Sequence, residues 1–250
     1  MKKYLKFMFL AAALILAAGC SKEAEVEFNS GKLLLTKQET VGGEVILFEY
    51  DSKNRLTRTR HGSELTTEYQ YAGNGNLSVI LFKDEKGETF SREEYTYDSN
   101  KKPTTAVITS PLLPDENPID VTFSHSANKV LITYKYRENP DENVITNESA
   151  FDNLGNLIST VIKSDGEVIN DMVWSDFDSK PSPNFHGNPK PWLIQKNNPG
   201  RFISTSFGVT TDNTFEYQYN KEGYPTKVVS YETGSSTVHE TYLNTYKVAK

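Results

Sequence analysis

The chain has one cysteine in 250 residues, Cys20, so it makes no internal disulfide and has no thiolate pair for a metal. Its four histidines, His61, His125, His186 and His239, are too scattered for a ligand set, and no metal is expected. Basic residues number 27 against 33 acidic ones and do not cluster. That argues against nucleic acid, whose phosphates require concentrated Lys and Arg. After residue 30 there is no apolar run long enough to cross a bilayer as a helix, and no sustained apolar spacing of helical period. No Gly-x-Ser-x-Gly elbow occurs, and "AGNGN" (72–76) lacks the helix and lysine of a phosphate loop. The acidic turns at 115–117 and 139–143 do not match a calcium-binding EF-hand loop. No cofactor is implied.

What the chain does have is aromatics. There are 14 Tyr and 13 Phe within a hydrophobic content of only 36%, a balance that favours sheets over helices. The N-terminus is the other positive signal. Lys2, Lys3 and Lys6 precede an apolar run from Phe7 to Ala18, then Gly19 and Cys20. A basic segment, a short apolar segment and small residues before a cut describe a secretory leader, 1–19. The run is shorter than the roughly 20 residues of a spanning helix. Cleavage before Cys20 removes three lysines and makes the balance of −6 more acidic still.

"LAAGC" resembles the lipobox of bacterial lipoproteins, with Leu16 four rather than three residues before the cysteine. The resemblance implies acylation of Cys20 by three chains. One chain alone holds only marginally, at about 0.8 kcal/mol per buried methylene. Ser21 follows in place of the Asp that implies inner-membrane retention, so the outer membrane is expected. "SKEAEVE" (21–27) is similar to the acidic stretch that sends Bacteroidota lipoproteins to the cell surface, and residues 20–30 read as a tether.

From residue 31 on, one pattern recurs: "YDSKNRL" (50–56), "YAGNGNL" (71–77), "YDSNKKP" (97–103), "FDNLGNL" (151–157) and "YNKEGYP" (219–225). After the aromatic residue come Asp51, Asp98, Asp152 and Asn220, with Ala72 the exception. Such side chains bond their own backbone two residues on and open a turn. Gly75, Gly155 and Gly223 stand four after the aromatic, where the chain needs positive φ to close a four- or five-residue hairpin loop. Asn54 and Lys101 hold that place in the other copies, and Lys101 predicts a strained or different turn. The preceding strands set aromatics two apart on one face, as in "YQY" (69–71), "YTY" (95–97) and "FEYQY" (215–219). The following strands are β-branched, as in "LSVILF" (77–82), "LISTVI" (157–162) and "TKVVSY" (226–231). A degraded copy, "FSHSANKV" (123–130), lies in the widest gap. The motif is a turn, and the array is one of two-strand repeats.

The "YDxxGxL" core is similar to the Tyr-Asp repeats of bacterial surface and toxin-shell proteins. The whole mature chain resembles Bacteroidota lipoproteins of unknown function with a porin-like β fold. Those proteins carry a late "YDxKxNPF" element, and "FDSKPSPNF" (177–185) is similar, with Phe177 for Tyr and Ser182-Pro183 added. The resemblance implies a fold and no activity.

The fold expected is therefore all-β: an antiparallel meander of a dozen to fourteen strands forming a strongly curved sheet or an incomplete, porin-like barrel, one domain over 31–250. Residues 181–200 hold five of the 11 prolines and interrupt the array as a loop, with Phe185, His186 and Trp192 as a plug or lip. Residues 110–118 form a second long loop. The favoured function is non-catalytic binding of a glycan, peptide or protein through an aromatic surface of Tyr69, Tyr71, Tyr95, Tyr97, Tyr217 and Tyr219, with Phe185 and Trp192 at its lip. A hydrolase of polysaccharide or peptidoglycan would need two converging carboxylates, for which only Asp176 and Asp178 offer themselves. A carrier or assembly factor for lipids or outer-membrane proteins would need an aliphatic lumen. The oligomeric state is not legible.

Overall fold

The structure, a computed structural model, describes residues 32–250 apart from 113–116, 184 and 194. The leader and Cys20 lie outside the described residues. The strands are β1 (Leu33–Thr40), β2 (Val45–Tyr50), β3 (Leu56–His61), β4 (Leu65–Tyr71), β5 (Leu77–Lys83), β6 (Thr89–Tyr97), β7 (Pro103–Thr109) and β8 (Ile119–His125). The second half runs β9 (Lys129–Tyr136), β10 (Ile145–Phe151), β11 (Leu157–Ser164), β12 (Glu167–Ser175), β13 (Arg201–Ser206), β14 (Val209–Tyr219), β15 (Pro225–Glu232) and β16 (Val238–Val248). Each pairs antiparallel with its chain neighbours, and β1 pairs with β16, so the sixteen-strand meander closes into a barrel without an edge. Sixteen strands fit because connections such as Asp165–Gly166 and Phe207–Gly208 are only two residues long, with positive φ at all four positions.

The repeat is a bulged hairpin end. Tyr50 pairs with Leu56, Tyr71 with Leu77, Tyr97 with Pro103, Phe151 with Leu157 and Tyr219 with Pro225, and in each pair the register slips just before the aromatic. Asp51 Oδ1 accepts the amides of Lys53 and Arg55, both at 2.9 Å. Asp98 does the same for Asn100 and Lys102, and Asp152 for Leu154 and Asn156. Asn220 Oδ1 accepts Glu222 and Tyr224 at 3.1 and 2.9 Å. Four residues after the aromatic, φ is positive throughout: 63° at Asn54, 89° at Gly75, 61° at Lys101, 87° at Gly155 and 83° at Gly223. Lys101 thus makes the same turn as the glycines, at a cost of about 1 kcal/mol. Asp84 and Gly87 build this turn once more after β5, where Lys83 stands in place of the aromatic.

All five repeat turns are even-to-odd connections and therefore share one rim with the two ends of the described chain. There the tyrosines staple neighbouring hairpins. Tyr50 Oη donates to the Leu35 carbonyl at 2.8 Å, Tyr71 to Leu56 at 2.7 Å and Tyr246 to Pro225 at 2.8 Å. In the degraded copy, His125 Nε2 takes the tyrosine's place at 2.8 Å from the Pro103 carbonyl, which requires the Nε2–H form.

The wall has two contrasting faces. Outward stand Thr96, Thr105, Thr122, Thr133 and Thr146, side by side across β6 to β10. A second outward row runs Glu49, Arg58, Glu68, Leu81, Arg92. Ion pairs lace this surface: Arg58 with Glu49 and Glu68, Lys83 with Glu68, Arg137 with Asp120, Lys129 with Glu148, Arg201 with Asp212. The lumenal face of β6 to β9 buries Ala106, Ile108, Val121, Val130 and Ile132 against Tyr95, Phe123 and Tyr134. From β10 to β16 it mixes Trp174, Phe215 and Val228 with buried Ser149, Thr160, Ser230 and Asn244.

Candidate functional site

A barrel of sixteen strands is too wide for its own side chains to fill. The connection from β12 to β13, residues 176–200, folds into it as a plug. Its two ends form a modified repeat turn. Asp178 Oδ1 accepts the Lys180 amide at 2.9 Å, as Asp152 accepts Leu154. The next partner is Asn198, whose amide lies 3.1 Å from Asp178 Oδ1 and whose Nδ2 donates to Oδ2, again at 3.1 Å. Asn156 makes both of these bonds to Asp152 in the ordinary hairpin. The plug is thus an insertion within a turn whose Asp–Asn frame is kept. Tyr219 Oη also donates to Asp178 Oδ2. Burial pushes the Asp178 carboxyl up, and the bonds from Tyr219, Asn198 and Lys180 only partly offset it. Gly200 closes the insertion, since a Cβ there would sit 2.8 Å from the Asp176 carbonyl oxygen.

Further bonds fasten the returning arm. Gln195 Oε1 accepts the Leu157 amide at 3.0 Å and its Nε2 donates to the Leu157 carbonyl at 2.9 Å, standing in for a β12 partner, since the β11–β12 pairing begins only at Ser159. The Asn197 amide donates to Asn156 Oδ1 at 2.8 Å, and the Ser182 hydroxyl to the Gln195 carbonyl. The tip between the arms reaches other strands through side chains. Lys190 Nζ lies 3.1 Å from Glu93 Oε2, on β6. Trp192, in the 3-10 turn Pro191–Leu193, is ringed by Tyr95, Tyr97 and Phe123 at centroid distances of 5.9, 6.3 and 6.0 Å. Gly187 approaches Tyr50 and Leu34 so closely that a Cβ would meet the Tyr50 ring at 2.7 Å. Phe185 packs on His186 at 4.7 Å, and His186 faces Tyr224. Burial and the nearby Lys32 charge push the His186 imidazole down, so it is neutral. A cavity of about 30 Å³ remains beside the tip, between Glu93, Tyr134, Trp192 and Leu193 among others.

The eight expected binding residues are thus brought together in pairs and clusters, but not as an open surface. Closure of the sheet turns the aromatic face into the lumen, and the plug covers part of it. Phe185 and Trp192 belong to that plug and not to a groove's lip. The hydroxyls are already engaged: Tyr71 with Leu56, Tyr95 with Glu93, Tyr217 with the Pro199 carbonyl at 3.2 Å, Tyr219 with Asp178. Tyr97 Oη is the exception, buried without a hydrogen-bond partner among the described residues. Burial raises Tyr69 and Tyr97 to about 12, so both stay neutral.

Nor do Asp176 and Asp178 form a carboxylate pair on a strand. Both follow the end of β12, and Asp176 adopts φ 57°. Asp178 bonds β14 and Glu93 lies on β6, eight strands apart and so on opposite sides of the ring. Among the described residues no cluster of His, Cys, Asp or Glu could hold a metal. Sequence reasoning did not single out Glu93, Lys190, Gln195 or Asn198. Glu93 had a signal: in "EEYTY" (93–97) it shares the alternating face of Tyr95 and Tyr97.

No protein-family model and no curated protein matches the chain in sequence. Among solved structures it is similar to a porin-like protein from Bacteroides uniformis, at 17% identity and a TM-score of 0.55, over 87% of this chain and 98% of that one. It is also similar to a porin-like protein from Bacteroides vulgatus, at 13% identity and a TM-score of 0.50, over 86% of this chain and 99% of that one. What the chain shares with them is the fold, an all-β meander closed into a porin-like barrel.

Proposed function

We propose that the chain is a lipid-anchored, non-catalytic protein of the outer membrane, displayed at the cell surface, whose barrel stands in water and binds a ligand within its lumen. The observation that carries this reading is the polarity of the wall. A barrel that spans a membrane turns an apolar band outward, and a Lys or Arg at mid-depth costs it about 2–4 kcal/mol. Here the outward rows carry Arg58, Glu68, Arg92, Glu94, Asp120 and Lys135, while Tyr95, Phe123 and Tyr134 face inward. The lipid on Cys20 then supplies the attachment that the wall does not, and residues 20–31 reach at most about 40 Å. The acidic tether supports surface display. A lumen crossed by the plug supports binding over conduction, and carboxylates on opposite sides of the ring give no support to a hydrolase.

Two measurements test this reading. Cys20→Ser should release the folded protein from membranes into the soluble fraction, and the full chain added to planar bilayers should give no conductance steps. Retention of Cys20→Ser after carbonate washing, or stable conductance, would show a wall seated in lipid.

A further inference from the structure

Glu93 is out of place in its surroundings. It stands in a lumenal row formed otherwise by Tyr69, Ile80, Ile108, Ile119 and Tyr136. A carboxylate on such a face is desolvated for no structural gain unless a cation meets it. The cation is Lys190, delivered by the plug, with Nζ 3.1 Å from Glu93 Oε2 and 5.6 Å from the Tyr95 ring centroid. Tyr95 Oη donates to the same carboxylate. Two residues on, Trp192 fills a slot between the rings of Tyr95, Tyr97 and Phe123. An ammonium site and an aromatic slot therefore lie side by side, both filled from within the chain.

Building on the reading that the barrel is a binding protein, we propose that the lumenal wall of β6 to β9 is a binding site for a ligand joining a protonated amine to an aromatic ring. Lys190 and Trp192 occupy it as a tethered ligand, which an incoming one displaces. The plug is constructed for such an exchange. Its arms are fastened by backbone and amide bonds through Asp178, Ser182, Gln195 and Asn198. Among the described residues the tip's own backbone bonds, from Phe185 to Ser182 and from Leu193 to Lys190, are local, so lifting it breaks no described ladder. The site is also incompletely filled: the cavity of about 30 Å³ is lined by Glu93, Tyr95, Lys190 and Trp192 themselves.

The test uses phenethylamine and its neutral isostere phenethyl alcohol on the full chain. Calorimetry on the Lys190→Ser/Trp192→Gly variant should show the amine binding about tenfold or more tighter than the alcohol. Adding Glu93→Gln should erase that preference. In the wild type the amine, but not the alcohol, should shift tryptophan emission to the red, because Trp192 leaves its slot while Trp174 stays in the wall. This second arm decides the matter if the double variant does not fold. A variant without amine preference, or a wild-type spectrum that does not move, overturns the proposal. Conductance in planar bilayers would instead remove the binding reading beneath it, so the two failures are distinguishable.

Discussion

Asp152 and Asp178 begin alike and end differently. Each follows a phenylalanine, opens an even-to-odd connection at the same rim, and accepts the amide two residues on. Asp152 meets its asparagine four residues later, within one hairpin on which the plug's Asn197 docks. Asp178 meets its asparagine twenty residues later, after the chain has crossed the lumen. Their acidities diverge accordingly. Around Asp152 desolvation is outweighed by the bonds from Asn156, Leu154 and Gly155, and its carboxyl is held below the usual range. Around Asp178 desolvation prevails and the carboxyl is pushed up. A motif thus specifies which bonds a carboxylate makes, while its surroundings decide what those bonds are worth.

The comparison is sharpest in side-chain removal. Asp178→Ala removes the acceptor shared by the Tyr219 hydroxyl, the Asn198 amide and Nδ2, and the Lys180 amide, and should cost about 3 kcal/mol in urea unfolding. Asp152→Ala leaves the Leu154 amide to water but deprives the buried Asn156 of its carboxylate, and should cost about 2 kcal/mol. Equal losses would mean that the plug's frame is no different from a hairpin's. Next in size come the glycines. Gly200→Ala drives a Cβ against the Asp176 backbone and should cost about 2 kcal/mol. Gly155→Ala brings its Cβ only to ordinary contact with the Lys196 side chain, at 4.0 Å, and suffers from its φ of 87°, about 1 kcal/mol.

Acid separates the pair by sign. Asp152, held low, contributes stability that is present above the ordinary carboxylate range and is lost as pH falls through its lowered value. Asp178, held high, favours folding most when protonated, and that contribution is lost as pH rises from the ordinary range through its raised value. Wild type minus Asp178→Asn stability should therefore fall on going from acid to neutral pH, and the same difference for Asp152→Asn should rise. Parallel trends in chemical denaturation would contradict the assigned environments. The smallest effect is a gain: Lys101→Gly relieves a φ of 61° and should raise stability by about 1 kcal/mol, read as a higher urea midpoint.

The hairpins were legible because their signals are local. Asp98, Gly75 or Gly223 each act within four residues, and the bulge at Tyr50 or Tyr219 follows from the same few positions. The plug was visible as an interruption through its prolines, but its destination was not. The bonds from Gln195 to Leu157 and from Lys190 to Glu93 span 38 and 97 residues, and no local pattern encodes them. The alternation in "EEYTY" put Glu93, Tyr95 and Tyr97 on one face without saying whether that face would look into a groove, a core or a lumen.

From sequence alone the chain's address was expected at Cys20, and its turns and alternating strands were determined by residue chemistry acting over a few positions. Tertiary structure decided that Leu33–Thr40 meets Val238–Val248, that the aromatic face turns inward, and that Asp178 is set deeper than Asp152. The reason is geometric. A strand's two faces are equivalent until the sheet curls, and curling is a property of all sixteen strands together.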